Sequence, residues 1–159
     1  MNLIGKTTIN PVLFFTGKMS GYFTWLVFFM EIFNHPILNI LGPGSFFLHY
    51  FSLLLCGAGL LIVVTSLFHL GSSTRLGLPS EHTKFKSKGI YRYSRNPMYL
   101  GFNLLTLAAI LFTLNLVILL LGVYSITIYH FIIISEERFL ETRFGTEYIE
   151  YKKKTRRYI

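Results

Sequence analysis

Of 159 residues, 52% are hydrophobic, 17% aromatic and only 14% charged, against roughly 25% charged in an ordinary soluble domain. Sixteen Phe, ten Tyr and a mean hydropathy of +0.53 exclude an intrinsically disordered chain, and so short a fold cannot shield that much apolar side chain with its own polar surface. The net charge of +8 does not make it a nucleic-acid binder, since no RRM, zinc or helix-turn-helix signature accompanies it; the expected solvent is lipid.

In chain order, residues 19–38 are predicted as a first membrane helix, with Trp25 inside it and Lys18 and Glu31 bracketing 12 uncharged positions. Lys18 can snorkel to the interface, and Glu31 can reach headgroups or pair inside the bundle. No small-residue cleavage site follows, so the segment is read as a retained span and not a signal peptide. Residues 46–70 form 25 positions without Lys, Arg, Asp or Glu, enough for a span at 1.5 Å per residue. Cys56 within it is a lone cysteine and reads as a small buried hydrophobe. Residues 98–134 run 37 positions without a charge, roughly two spans, and the break is placed at Asn115. The expectation is an antiparallel pair of helices at about 97–113 and 116–140, the second projecting into water. Gly145 is predicted to end it, and 147–154 to restart a short amphipathic helix.

The 15 basic residues divide two before the first core, six in the 71–97 loop and seven after the last core. The turns at 39–45 and near Asn115 have none, so the excess of Lys and Arg in cytoplasmic loops predicts four spans with both termini cytosolic. The fold class expected is all-α: a polytopic membrane helix bundle of about four transmembrane helices, with a C-terminal helical hairpin and a short cytosolic helix. One domain spans 1–159. No metal site is expected, because His35, His49, His69, His82 and His130 lack close ligand spacing. The Lys152-Lys153-Lys154 and Arg156-Arg157 cluster is expected to touch anionic headgroups.

Polar chemistry is concentrated at two places. Before the third helix stands Gly89-Ile90-Tyr91-Arg92-Tyr93-Ser94-Arg95-Asn96-Pro97-Met98-Tyr99. Pro97 suits the first helical position, where no N–H is needed, and Asn96 can cap it. The free amides there, with Arg95 beside them, could hold a carboxylate or phosphate. Gly89 permits positive φ or a close backbone approach. At the end of the fourth helix, Glu136 and Glu137 enter where lipid gives way to water, a costly place for carboxylates unless partnered. They point about 100° apart, so they are not expected to serve one ligand atom. Glu141 with Arg138 reads as an ordinary surface pair.

These two motifs, in this order with a helical hairpin between them and with Leu140, Phe144-Gly145, Tyr148 and Tyr151 following, resemble the isoprenylcysteine carboxyl methyltransferase and phospholipid methyltransferase family of integral membrane enzymes. The resemblance covers residues 76–154, the cofactor-binding half. It implies S-adenosylmethionine held on the cytosolic side by Gly89, Tyr91, Arg95, Asn96, Pro97, Tyr99, Glu136 and Glu137, with Arg95 and Glu137 in catalytic roles. It also implies a lipophilic or lipid-borne acceptor arriving from the bilayer, membrane lipids as surroundings, no nucleic acid and no obligate protein partner. Asn96 stands where many members carry His, which removes a titratable ring from that position; His82 is assigned no role, and the C-terminal 156–159 lacks a Pro often found in relatives. Two alternatives remain from the residues: an NADPH-dependent membrane reductase of related architecture, and a non-catalytic membrane module whose boundary charges pair structurally.

Overall fold

The computed structural model describes residues 9–33, 46–70 and 87–159; the turn at 39–45, His35, His82 and the basic residues Lys6, Arg75, Lys84 and Lys86 lie outside them. The described residues form five α-helices: α1 (Pro11–Ile32), α2 (Phe46–Leu70), α3 (Pro97–Thr113), α4 (Leu116–Phe144) and α5 (Thr146–Lys154), with a short 3-10 turn at Gly89–Arg92. Helices α1, α2 and α4 are each long and apolar enough to cross a membrane. At 17 residues α3 is shorter, about 26 Å at the α-helical rise.

Helix α2 keeps its expected bounds, an uncharged stretch flanked in the sequence by Gly42-Pro43-Gly44 and Gly71-Ser72-Ser73. Helix α1 begins at Pro11 and not at 19. Its start is fixed by a cap: Asn10 Oδ1 accepts from the Val12 N–H at 2.9 Å, and Pro11 takes a first-turn position where a missing N–H costs nothing. Lys18 therefore lies inside the helix, its ammonium 4.1 Å from the centre of the Phe14 ring. The chain reverses between α3 and α4 in two residues. Leu114 takes the left-handed conformation at φ 46°, and Asn115 accepts from the Val117 and Ile118 amides at 2.9 and 3.3 Å. A non-glycine residue at positive φ is strained, and the double cap offsets that strain.

Helix α2 packs along α3, while α1 lies against α4 and, less extensively, α3. Glycines set both approaches: a Cβ on Gly101 would lie 2.8 Å from the Gly59 carbonyl oxygen, and one on Gly17 would lie 2.4 Å from Ile128 Cγ2. In lipid, where helices gain nothing from excluding water, close contact of this kind supplies the attraction. One buried cluster joins Val27, Phe28, Cys56, Leu105, Ala108, Ala109 and Ile118; a second joins Phe14, Tyr99, Ile128, Tyr129, Ile132 and Ile133. Phe47, Leu54, Leu61 and Phe68 of α2 remain exposed, as side chains facing acyl chains would. The two clusters hold the α3–α4 hairpin in one register, bringing the start of α3 to the end of α4.

Candidate active site at the α3–α4 helix ends

Helix α4 ends at Phe144 because Gly145 adopts φ 54°, which α5 needs in order to turn back. From α5 the last five residues cross over the start of α3. Ser94 and Arg156 form an isolated parallel bridge, and the Arg95 N–H donates to the Arg156 carbonyl at 2.9 Å. The Thr155 hydroxyl donates to the Arg92 carbonyl at 3.3 Å, and the Tyr151 hydroxyl donates to the Tyr91 carbonyl. The tail is thus stitched to the motif that opens α3.

Glu137 sits at the centre, only 3% exposed. Arg95 donates to both its oxygens, Nε to Oε1 at 3.1 Å and Nη2 to Oε2 at 3.2 Å. Asn96 Nδ2 adds a bond to Oε1 at 2.9 Å, and Arg157 supplies Nε and Nη2 to Oε2 at 3.1 and 3.0 Å. Arg95 also donates from Nη1 to the carbonyls of Lys152 and Thr155. Two guanidinium groups around one carboxylate leave a net positive charge. The two differ in access: Arg95 is 7% exposed and Arg157 33%. Hydrogen bonding to Glu137 holds the Arg157 guanidinium above its usual pKa, so it stays charged.

Glu136 faces another direction. Its Oε1 accepts from the Tyr99 hydroxyl at 3.0 Å, and the opposing charge acting on it is Lys18 of α1. The adjacent glutamates therefore serve two sites about a quarter-turn of helix apart, one against α1 and one against the tail. Burial raises the phenol pKa of Tyr91 and pushes that of Tyr151 up to about 12. The Tyr151 phenol serves as a hydrogen-bond donor to the Tyr91 carbonyl and not as a base.

Several sequence expectations change. Asn96 does not cap α3 through its side chain; its Nδ2 donates to Glu137 and, at 3.3 Å, to the Arg157 carbonyl, and its own N–H donates to the Ser94 hydroxyl at 3.2 Å. Pro97 does occupy the first turn, buried. Gly89 has positive φ, 67°, but what approaches it is His69 of α2: a Cβ there would lie 1.9 Å from the imidazole. Glu141 pairs with Lys152 and not Arg138. Arg157 turns inward to Glu137 and not out to headgroups. The sequence carries no local signal for this, since Arg157 lies 20 residues from its partner and reaches it only because Gly145 reverses the chain. His130 is a second such residue: its Nδ1 is 2.6 Å from the Tyr158 hydroxyl of the same tail.

Comparison with solved structures places this architecture among intramembrane methyltransferase folds. A eukaryotic intramembrane Ras methyltransferase, isoprenylcysteine carboxyl methyltransferase, superposes with a TM-score of 0.62 at 22% identity, over 87% of this chain and 50% of that one. The chain thus spans about half the length of that protein. No curated protein sequence matches. The profile of the phospholipid methyltransferase family matches residues 47–147, and the chain belongs to that family.

Proposed function

We propose that this membrane protein catalyses S-adenosylmethionine-dependent methyl transfer to a lipophilic acceptor such as a prenylated-cysteine carboxylate or a phospholipid amine. In this reading the reaction lies at the cytosolic membrane face, with four spans and both termini on that side, which the distribution of basic residues supports. The observation that carries the reading is the buried Glu137 held between Arg95 and Arg157 in a chain of a methyltransferase family.

The donor set suits an amino-acid zwitterion carrying a nucleoside. Arg157, the more exposed guanidinium, is the partner that can exchange its contact with Glu137 for a ligand carboxylate, a two-pronged fit. The Glu137 oxygen so released accepts from an ammonium or from ribose hydroxyls. Arg95 stays fixed by its tail carbonyls and keeps Glu137 ionised and oriented. Tyr99, with Glu136 on its hydroxyl, and the buried Pro97 and Tyr91 wall the site; Gly89 lets the 3-10 turn sit against α2. When bound, the donor supplies an electrophilic methyl on a sulfonium, which needs no covalent enzyme intermediate. The protein's contribution is to align the acceptor and exclude water, an effect worth several kcal/mol of barrier.

Titration of purified protein in detergent with S-adenosylmethionine, in parallel with NADPH, tests this. Binding of S-adenosylmethionine, reduced at least tenfold in Arg95→Ala and in Glu137→Gln, is the expected result. Binding of NADPH alone would move the chain to the reductase reading. An Arg95→Ala protein that binds the donor normally would remove Arg95 from the site.

A further inference from the structure

With the tail in place the charged site is shut. Glu137 is buried and the Arg95 side chain nearly so. Arg95 and Asn96 close on Glu137 from the start of α3 and Arg157 closes on it from the tail. A nucleoside cannot pass that cover, so a methyl donor and its spent product exchange only when the tail gives way. Whatever holds the tail down then sets the rate of exchange.

The fastenings are unequal. Thr155 is buried, and the Arg156 carbonyl is anchored by the Arg95 N–H at 2.9 Å. Beyond that anchor the Arg157 carbonyl accepts from Ser94 Oγ and Asn96 Nδ2, both at 3.3 Å, past the usual range for such bonds. The next contact is short and lies on the other helix: the Tyr158 hydroxyl meets His130 Nδ1 at 2.6 Å, with the two rings 24° from parallel. His130 stands seven residues before Glu137 on the same face of α4, about 10 Å along its axis. Tyr158 packs on one side against the cluster of Phe14, Tyr99 and Ile128. On another it borders a cavity of about 420 Å³ that Leu100, Ile126 and His130 also line. Ile159 beyond it is 79% exposed. A ring that lacks packing partners on one side gains less from dispersion, which leaves the bond to His130 as its firm hold on the body of the protein.

We propose that His130 is a positioning residue of the donor site: its bond to Tyr158 is a latch that keeps residues 157–159 closed over Glu137, made whether the site is empty or filled and broken only while donor or product passes. The inference rests on the methyl-transfer reading above. Because Tyr158 follows Arg157 directly, fixing one fixes where the other reaches Glu137, and the closed tail keeps water from the reacting groups. A bond present in both end states and absent between them slows entry and exit alike, so weakening it speeds both rates and leaves affinity unchanged. A contact serving only the fold would move neither rate, and one inside the ligand pocket would move affinity.

The test uses the full chain in neutral detergent, with Tyr158→Phe, His130→Leu, their double variant, and His130→Asn, which keeps a polar group near the place of Nδ1. Dissociation of radiolabelled S-adenosylmethionine is followed after a chase with unlabelled compound, and the dissociation constant is measured by equilibrium dialysis. Separately, without ligand, trypsin release of residues 158–159 is followed by intact mass, since cleavage tracks the opened population. Tyr158→Phe and His130→Leu should each speed both dissociation and cleavage about fivefold, the factor that one hydrogen bond is worth, with affinity within twofold of wild type. The double variant should be no faster than either single one, and His130→Asn should stay within twofold of wild type in both rates. Unchanged rates in Tyr158→Phe and His130→Leu, a double variant that multiplies their effects, or a tenfold loss of affinity at unchanged association rate would each overturn the proposal. Wild-type protein that binds no S-adenosylmethionine, while cleavage still responds as expected, would refute the methyl-transfer reading and leave the tail latch standing.

Discussion

Glu137→Gln isolates the energetics of the site because the change keeps shape and removes charge. In the native protein the carboxylate accepts hydrogen bonds from Arg95, Asn96 and Arg157 on both oxygens. Glutamine keeps one accepting oxygen and turns an NH₂ toward a guanidinium. Arg95, at 7% exposure, cannot recover water, so its charge is left buried with only carbonyl partners. Breaking a buried pair on one side costs about 3–5 kcal/mol. Arg157 is the internal control: at 33% exposure it can turn to solvent, and Arg157→Ala should cost about 1 kcal/mol or less. Reversible unfolding by sodium dodecyl sulfate in mixed micelles, followed by circular dichroism, reads both. Since Glu137→Gln already removes the partner of Arg157, the double variant should be little less stable than Glu137→Gln alone, a sub-additivity expected of contacting residues. A Glu137→Gln protein within about 1 kcal/mol of wild type, the low end left by the surface-pair range, would refute the buried-pair reasoning. So would an Arg157→Ala loss as large as that of Glu137→Gln.

Three further changes probe what positions the site. Asn115→Ala removes the double cap at the α3–α4 reversal and should lower stability by about 1 kcal/mol in the same assay. Gly145→Ala places a Cβ at φ 54° in open space, so the penalty is conformational, about 1–3 kcal/mol; because this turn aims the tail, donor affinity should fall with it, and unchanged affinity would separate tail from site. Gly101→Ala puts a Cβ 2.8 Å from the Gly59 carbonyl oxygen, an overpacking loss of about 1–3 kcal/mol, and paired cysteines across α2 and α3 should crosslink more slowly as the helices part.

The helices were legible because each is written locally. The uncharged run at 46–70 admits one reading in lipid, and Asn115 marks the reversal because a short polar side chain can cap the helix it precedes. Gly145 is similarly audible, since only glycine rests at that backbone geometry without strain. The start of helix α1 is less legible, because Lys18 resembles a membrane boundary while the cap at Asn10 is the stronger local determinant. Asn96 shows the opposite case: its sequence position says cap, and only the arrival of Glu137 from 41 residues away claims its amide for another use.

By itself the amino-acid sequence determined the solvent, the helices and the residues able to carry charge near the membrane boundary, because hydropathy, caps and glycine conformation act over a few residues. Only the tertiary structure decided which charges meet. The divergence of Glu136 toward Tyr99 and Lys18 from Glu137 toward Arg95 depends on how α4 is rotated against its neighbours. The inward turn of Arg157 and the placing of Tyr158 on His130 depend on a tail folded back by Gly145. Pairing of buried groups is fixed by approach in space, where desolvation makes each unpartnered charge expensive, and no spacing along the chain encodes that distance.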